Sequence, residues 1–319
     1  MMDQITHKFI QVNGLNLHVA EIGSESSPAV IFLHGFPEIW YTWRHQMVAV
    51  ANAGFRAIAP DFRGYGLSDP PAEPEKATFT DMINDTAAIL DSLEISKVFV
   101  IGKDFGAIVA YPFALQHSDK VVGIITLGLP FMPPGAFTQQ FVLPEGFYPR
   151  RFQEVGRAEA DFGRFDVKTV VKNIYILFSQ SELQIANENE EIMDLVKPLT
   201  PLPSWFSEDD LEMYASLYAK SGFRTALQVP YRTMDSVGSE VNDPKVEVPT
   251  LMIMGEEDYV LKIPGMGEYI KSGEVKKYVP KQETIYIPHG SHFLPEQFPD
   301  KVNQLVLEFL NRNKHLVVV

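Results

Sequence analysis

Short apolar runs recur along the chain, and most of them are uninterrupted by any polar residue. Continuous runs of this length are typical of strands that are buried on both faces of a parallel sheet. The first two runs flank Asn13 and Gly14, a pair that predicts the turn of a β-hairpin. We predict strands at residues 8–12, 15–22, 29–33, 56–60, 97–102, 121–127, 250–254 and 284–287.

Helical patterns separate these runs. Apolar residues recur with helical spacing over residues 41–53, 80–93 and 300–312, and a further helix is predicted to start near residue 106. Strands that alternate with helices predict an α/β fold with a mostly parallel central sheet. The alternation stops in an aromatic-rich stretch with a mostly helical pattern. We therefore predict an α/β core from residues 1–130 and 233–319, with residues 131–232 inserted as a helical unit.

Composition narrows the classes of partner. The formal net charge of −14 argues against binding to nucleic acid or to an anionic membrane, because phosphate groups would be repelled. The absence of cysteine excludes disulfides, thiolate metal sites and a cysteine nucleophile. We see no secretory signal and no apolar segment of the roughly 20 residues that span a bilayer, so we expect a cytoplasmic protein.

Asp104 lies in the stretch G-K-D-F-G, at the end of a predicted strand. Glycines two positions before and after a residue frame the sharp strand-to-helix turn that presents the nucleophile of many hydrolases, where serine is usual. The alternative is an ordinary carboxylate at a helix N-terminus. A carboxylate nucleophile can displace a leaving group from saturated carbon and form an alkyl ester. Asp104 therefore indicates an epoxide or an alkyl halide as substrate.

Hydrolysis of such an ester needs a general base and an acid that orients it. Two histidines follow the last predicted strand, and we favour His292 because two apolar residues come directly after it. His289 stays open as the alternative. Asp258 is the preferred orienting acid, and the two glutamates before it are expected to be solvated. The order nucleophile, acid, histidine is that of the α/β-hydrolase triad.

An oxyanion forms during ester hydrolysis and needs backbone N–H donors. We expect Phe105, directly after the nucleophile, and Phe36, in the loop H-G-F-P after the third strand. The alternative for that loop is a tight turn with no chemical role.

With these residues in place, the chain resembles the plant-type soluble epoxide hydrolases over nearly its whole length. The resemblance implies an α/β-hydrolase fold with a helical cap, a reaction through an ester on Asp104, and no metal or organic cofactor. Its matching stretches are H34-G-F-P-E-I-W-Y-T-W43, D61-F-R-G-Y-G-L-S-D69, G102-K-D-F-G106, F147-Y-P-R-R-F-Q153, L227-Q-V-P-Y-R232, G255-E-E-D-Y-V-L-K-I-P-G265 and G290-S-H-F293.

The same resemblance implies that Tyr148 and Tyr231, from the cap, face the nucleophile. Opening an epoxide creates an alkoxide, which needs a proton that a phenol can supply, whereas a halide leaves without one. The tyrosines therefore favour an epoxide hydrolase over a haloalkane dehalogenase on the same scaffold. A third alternative is a ligand receptor that keeps the pocket but not turnover. The expected partners are a lipophilic epoxide and water, and the expected assembly is a monomer or a homodimer.

Two positions depart from the family pattern. Lys103 stands where the family usually has histidine. Its side chain is expected either to place a cation beside Asp104 or to point away from the site. Phe105 replaces a common tryptophan and so removes an indole N–H that a halide-binding enzyme often uses.

Aromatic residues near the predicted site indicate an apolar substrate pocket, for which we single out Trp40, Phe131 and Phe147. The alternative for at least half of the set is packing in the hydrophobic core. The full set is Phe36, Trp40, Phe105, Phe131, Phe137, Phe147 and Phe152.

Overall fold

An eight-stranded sheet forms the centre of the molecule, in a computed structural model that describes residues 4–136, 141–234, 237 and 243–317. The strand order is β1-β2-β4-β3-β5-β6-β7-β8; β1 with β2 and β2 with β4 pair antiparallel, and the other neighbours pair parallel. The predicted α/β fold and its strands are confirmed. The strands are β1 Thr6–Val12, β2 Leu15–Ile22, β3 Ala29–Leu33, β4 Arg56–Pro60, β5 Val98–Lys103, β6 Val121–Leu127, β7 Thr250–Gly255 and β8 Gln282–Ile287.

Helices cover both faces of this sheet, which explains why the central strands read as continuous apolar runs. Every residue of β3, β4, β5, β6 and β7 is buried. The α-helices are α1 Arg44–Asn52, α2 Phe79–Ser92, α3 Phe105–Gln116, α4 Tyr148–Gln153, α5 Arg157–Phe162, α6 Val167–Phe178, α7 Glu208–Ser221, α8 Arg224–Arg232, α9 Met266–Lys271, α10 Leu294–Gln297 and α11 Pro299–Asn313. Short 3-10 helices occupy Trp40–Trp43, Pro74–Lys76, Ile192–Leu195, Tyr259–Lys262, Glu274–Lys277 and Lys314–Val317.

The segment between β6 and β7 is helical, and α4 to α8 lie in its described part. The division at residues 131 and 232 stays a prediction, although α8 ends at Arg232. None of the helices formed by the described residues has the length and apolar character needed to cross a bilayer.

A buried polar cluster joins this helical segment to the core. Arg44, at the start of α1, contacts Glu296 in α10 at 2.7 Å and Asp210 in α7 at 2.9 Å. Tyr214 of α7 donates a hydrogen bond of 3.1 Å to the same Glu296. One cation thus links two carboxylates from different parts of the chain.

Candidate active site

Asp104 occupies the sharp turn between β5 and α3, with φ of +53° and ψ of −124°. Few residues other than glycine adopt a positive φ, and such strain is concentrated at functional sites. The two flanking glycines are required by crowding. A Cβ on Gly102 would lie 2.4 Å from the carbonyl oxygen of Gly106, and one on Gly106 would lie 2.0 Å from that of Leu33.

The Asp104 carboxylate is buried and accepts backbone hydrogen bonds. The N–H of Phe36 donates to Oδ1 at 3.1 Å, and the backbone N–H of Phe105 helps to lower the pKa of the carboxylate. Both predicted oxyanion donors therefore lie beside Asp104, the predicted nucleophile. A Cβ on Gly35 would lie 2.5 Å from Asp104 Oδ1, so this close approach of the loop depends on glycine.

His292 bridges two buried carboxylates. Its Nδ1 lies 3.0 Å from Oδ2 of Asp258 and its Nε2 lies 3.2 Å from Oδ2 of Asp104. Burial lowers the pKa of His292, but the charge of Asp258 and the hydrogen bonds to both carboxylates outweigh this and raise it to about 9. At neutral pH the protein therefore holds a charged imidazolium between two carboxylates.

The same contacts act on Asp104. Burial raises the pKa of Asp104, but the hydrogen bond and charge of His292, together with the charge of Lys103, hold it below the usual value. Asp104 is therefore ionised at neutral pH, as a nucleophilic carboxylate must be.

His289 does not reach this cluster. Its side chain is 84% exposed and contacts Glu257 at 3.0 Å. The structure thus places His292, and not His289, against Asp104 and Asp258.

Two phenols from the helical segment meet in front of Asp104. Tyr148, at the start of α4, shares a hydrogen bond of 2.8 Å with the hydroxyl of Tyr259. The hydroxyl of Tyr231, in α8, is buried and has no hydrogen-bond partner among the described residues. Burial and the charge of Asp104 raise the pKa of Tyr148 and Tyr231 well above the usual value. Both phenols therefore stay protonated and can donate.

A cavity of about 880 Å³ opens onto these groups. Asp104, Phe105, Tyr148 and Tyr231 line it, together with aliphatic side chains. Charged residues also border it. The aliphatic lining is Leu129, Leu143, Val155, Val260 and Ile263, and the charged residues are Glu75, Glu159, Arg224 and Arg232.

The structure does not place the three aromatic residues singled out for the pocket along this cavity: Trp40, Phe131 and Phe147 are absent from its lining. Trp40 packs edge-on against His7, with ring centroids 4.8 Å apart. Phe131 stacks on Tyr278 at 5.1 Å. These side chains are core residues.

Phe147, Phe36 and Phe152 pack against the two phenols. Phe147 contacts Tyr148 with ring centroids 4.8 Å apart, while Phe36 and Phe152 contact Tyr231 at 5.8 and 5.1 Å. Phe137 lies outside the described residues.

Sequence reasoning missed two neighbours of the site. Tyr259, the partner of Tyr148, directly follows Asp258, and this adjacency was the only available signal. Glu38 lies in the loop after β3, and its Oε1 is 3.0 Å from Nζ of Lys103. Lys103 is fully buried, so it neither reaches solvent nor lines the cavity.

Comparison with known proteins agrees with this geometry. Residues 28–299 match the model of the alpha/beta hydrolase fold family. Epoxide hydrolase 1 from Siraitia grosvenorii is 37% identical over 320 residues, which cover 98% of this chain and all of that protein. The chain belongs to the epoxide hydrolases. Its predicted family and its predicted class of enzyme are confirmed.

Solved structures support the same assignment. The epoxide hydrolase from Vigna radiata superimposes with a TM-score of 0.89 at 34% identity, covering 98% of this chain and 99% of that one. Epoxide hydrolase I from potato, Solanum tuberosum, gives a TM-score of 0.86 at 33% identity, covering 97% and 99%. This epoxide hydrolase therefore shares both its sequence family and its complete fold with plant enzymes that carry that name.

Proposed function

We propose that this enzyme opens lipophilic epoxides to vicinal diols through a covalent alkyl ester on Asp104. The observation that carries the proposal is the position of His292 between Asp104 and Asp258, with backbone N–H donors on the other side of the Asp104 carboxylate. The proposed base thus contacts both the proposed nucleophile and the proposed orienting acid. The proposed route needs no metal or organic cofactor, because these side chains supply each of its chemical roles.

The first step is attack by Asp104 on an epoxide carbon. Oδ2 forms the new C–O bond while Oδ1 stays with the Phe36 N–H. The ring C–O bond breaks, and the ring oxygen takes a proton from Tyr148 or Tyr231. A phenol that donates only as charge develops on that oxygen stabilises the transition state more than the bound substrate.

The second step is attack by water on the ester carbonyl carbon. His292 accepts a proton from that water, and the oxyanion on Oδ1 receives the N–H groups of Phe36 and Phe105. Collapse of this intermediate breaks the ester bond, and the imidazolium returns its proton to the departing diol oxygen. The Asp104 carboxyl formed in this step then gives its own proton to His292, and the tyrosinate left by the first step regains a proton when His292 loses one after esterification. Esterification removes the charge of Asp104, one of the groups that raise the pKa of His292, and so prepares the imidazole to act as a base.

The cavity supports a lipophilic substrate, because aliphatic and aromatic side chains surround the reacting carboxylate. Paired phenols at that carboxylate favour an epoxide over an alkyl halide. The cytoplasmic location and the monomeric or homodimeric state stay predictions.

The test is to trap the ester. We expect a His292→Gln variant exposed to styrene oxide to gain one substrate mass on the peptide that contains Asp104, because the base for the second step is missing. His289→Gln is the matched control and should form diol at the wild-type rate without accumulating an adduct. Rapid diol formation by His292→Gln, with no adduct, would refute the role of His292. Failure of the wild-type enzyme to form an adduct or diol with several epoxides would refute the covalent route.

A further inference from the structure

Lys103 and Glu38 form an ion pair in the interior, directly behind the reacting groups. Both side chains have no exposed surface, and Nζ lies 3.0 Å from Oε1. The ammonium also lies 4.9 Å from the centre of the Phe293 ring. Nζ makes no well-aligned hydrogen bond with the described residues, so the pair is mainly a contact between charges.

Glu38 also holds the loop that carries an oxyanion donor. Its Oε2 accepts from the N–H of Gly35 at 3.2 Å, and its Oε1 accepts from the hydroxyl of Thr42 at 3.1 Å. Gly35 immediately precedes Phe36, whose N–H binds Asp104. The ion pair thus connects the end of β5 to this loop.

The Lys103 cation lies close to both reacting groups: Lys103 directly precedes Asp104, and the Phe293 ring that its ammonium contacts has its centroid 5.7 Å from that of the His292 ring. The charge of Lys103 lowers the pKa of Asp104 and opposes protonation of His292. In the free enzyme the Asp104 carboxylate offsets this effect at His292. After esterification Asp104 is neutral, and the cation acts on the imidazole without that compensation.

Several other charged or titratable groups face this region. Because these groups also affect the protonation of His292, the effect of Lys103 must be measured by comparing Lys103 variants with wild type. The groups are Asp104 and His292 themselves, Asp258 and Tyr259 after β7, Glu38 after β3, and Glu296 of α10, which feels the charge of Glu38.

We propose that Lys103, held by Glu38, is a positioning residue for the second step: its buried charge keeps His292 unprotonated in the alkyl-enzyme, so that water is activated at neutral pH. The inference rests on the proposed covalent route. Burying the Lys103 charge costs free energy, and the opposite charge of Glu38 offsets part of that cost.

The experiment compares single-turnover ester hydrolysis of styrene oxide across pH in wild type, Lys103→Met and Lys103→Arg. Loss of the cation should move the low-pH limb of the hydrolysis rate to higher pH by about one unit. At a fixed pH on that limb, the rate should therefore fall about tenfold. Lys103→Arg keeps the charge and should keep the limb in place. The rate of ester formation should change less than the rate of its hydrolysis in Lys103→Met, a split that a purely structural role does not produce.

Lys103→Met leaves Glu38 buried without a counter-ion and will destabilise the fold. The double variant Lys103→Met with Glu38→Gln removes both charges, and its low-pH limb should move in the same direction. If the folded double variant still forms and hydrolyses the ester but its low-pH limb does not shift, the inference about Lys103 is overturned. The proposed covalent route is unaffected by that result. Absence of any ester in wild type would overturn the route itself.

Discussion

Tyr148 and Tyr231 face the same carboxylate, that of Asp104, but their hydroxyl groups have different surroundings. The Tyr148 hydroxyl is paired with that of Tyr259, whereas the Tyr231 hydroxyl has no partner among the described residues. A buried unpaired hydroxyl costs free energy that a ligand oxygen can recover. Tyr231 is thus the phenol with an uncommitted donor, while Tyr148 is oriented in advance.

Phenylalanine variants separate these roles. Tyr231→Phe should slow ester formation about 10- to 100-fold without loss of stability, because its hydroxyl makes no hydrogen bond with the described residues. Tyr148→Phe should slow it similarly and also lower the free energy of unfolding by about 1–3 kcal/mol, because the Tyr259 hydroxyl loses its partner. Single-turnover kinetics and urea unfolding measure the two effects.

Tyr259→Phe is the control for that comparison. It should reproduce the stability loss of Tyr148→Phe while forming the ester faster than that variant. If Tyr231→Phe formed the ester at the wild-type rate, proton donation from Tyr231 to the ring oxygen would be ruled out.

At the scale of elements, the ends of four parallel strands bring the site together. Asp104 follows β5, Asp258 follows β7, His292 follows β8 and Phe36 follows β3. Gly128, which follows β6, has φ of +82°, and a Cβ there would lie 3.1 Å from Cε1 of His292. The end of β6 therefore supports the imidazole by leaving room for it.

Gly128→Ala tests this support. The added methyl group should displace the imidazole and slow ester hydrolysis at least tenfold, since small misplacements of reacting groups are costly. Gly54→Ala is a matched control, with φ of +84° and no atom of the described residues within 4 Å of the point that its methyl group would occupy. Both variants should lose about 1–2 kcal/mol of stability from the positive φ, but only Gly128→Ala should lose activity. Equal hydrolysis rates in the two variants would contradict the close contact.

The positions of the strand ends also explain which site residues could be predicted from the sequence. Strands buried on both faces leave continuous apolar runs, and the residues at their carboxyl ends must meet at one edge of the sheet. Asp104, Asp258 and His292 were therefore predictable as a cluster. Aromatic residues carry no such positional signal, because they fill the core and pockets equally well, so the sequence could not place Trp40.

For the molecule as a whole, the Arg44 cluster is the clearest link between the helical segment and the core. Arg44 is buried between Glu296 and Asp210, which come from the two parts. No short sequence motif marks this link, since its contacts join residues that are 82 to 252 positions apart. Long-range ion pairs of this kind emerge only from the folded structure.

Arg44→Met should lower the free energy of unfolding by about 3–5 kcal/mol, because it leaves buried carboxylates without their cation. Arg312→Met is the control: its pair with Glu283 is more than half exposed on both sides, so the change should be within about 1 kcal/mol. Denaturant unfolding of both variants provides the measurement. Equal losses would show that Arg44 does not hold the helical segment to the core.

The adjacency of β6 and β7 also has a consequence for biosynthesis. Ile124 pairs with Thr250, and the entire helical segment is translated between them. At about 5–20 residues per second, the edge of β6 waits roughly 6–25 seconds for its neighbour. An unpaired apolar strand edge is a template for aggregation. The nascent chain must therefore keep six strands of the sheet from associating with other chains before His292 has been synthesised, so we expect chaperone supply to affect the yield of folded enzyme.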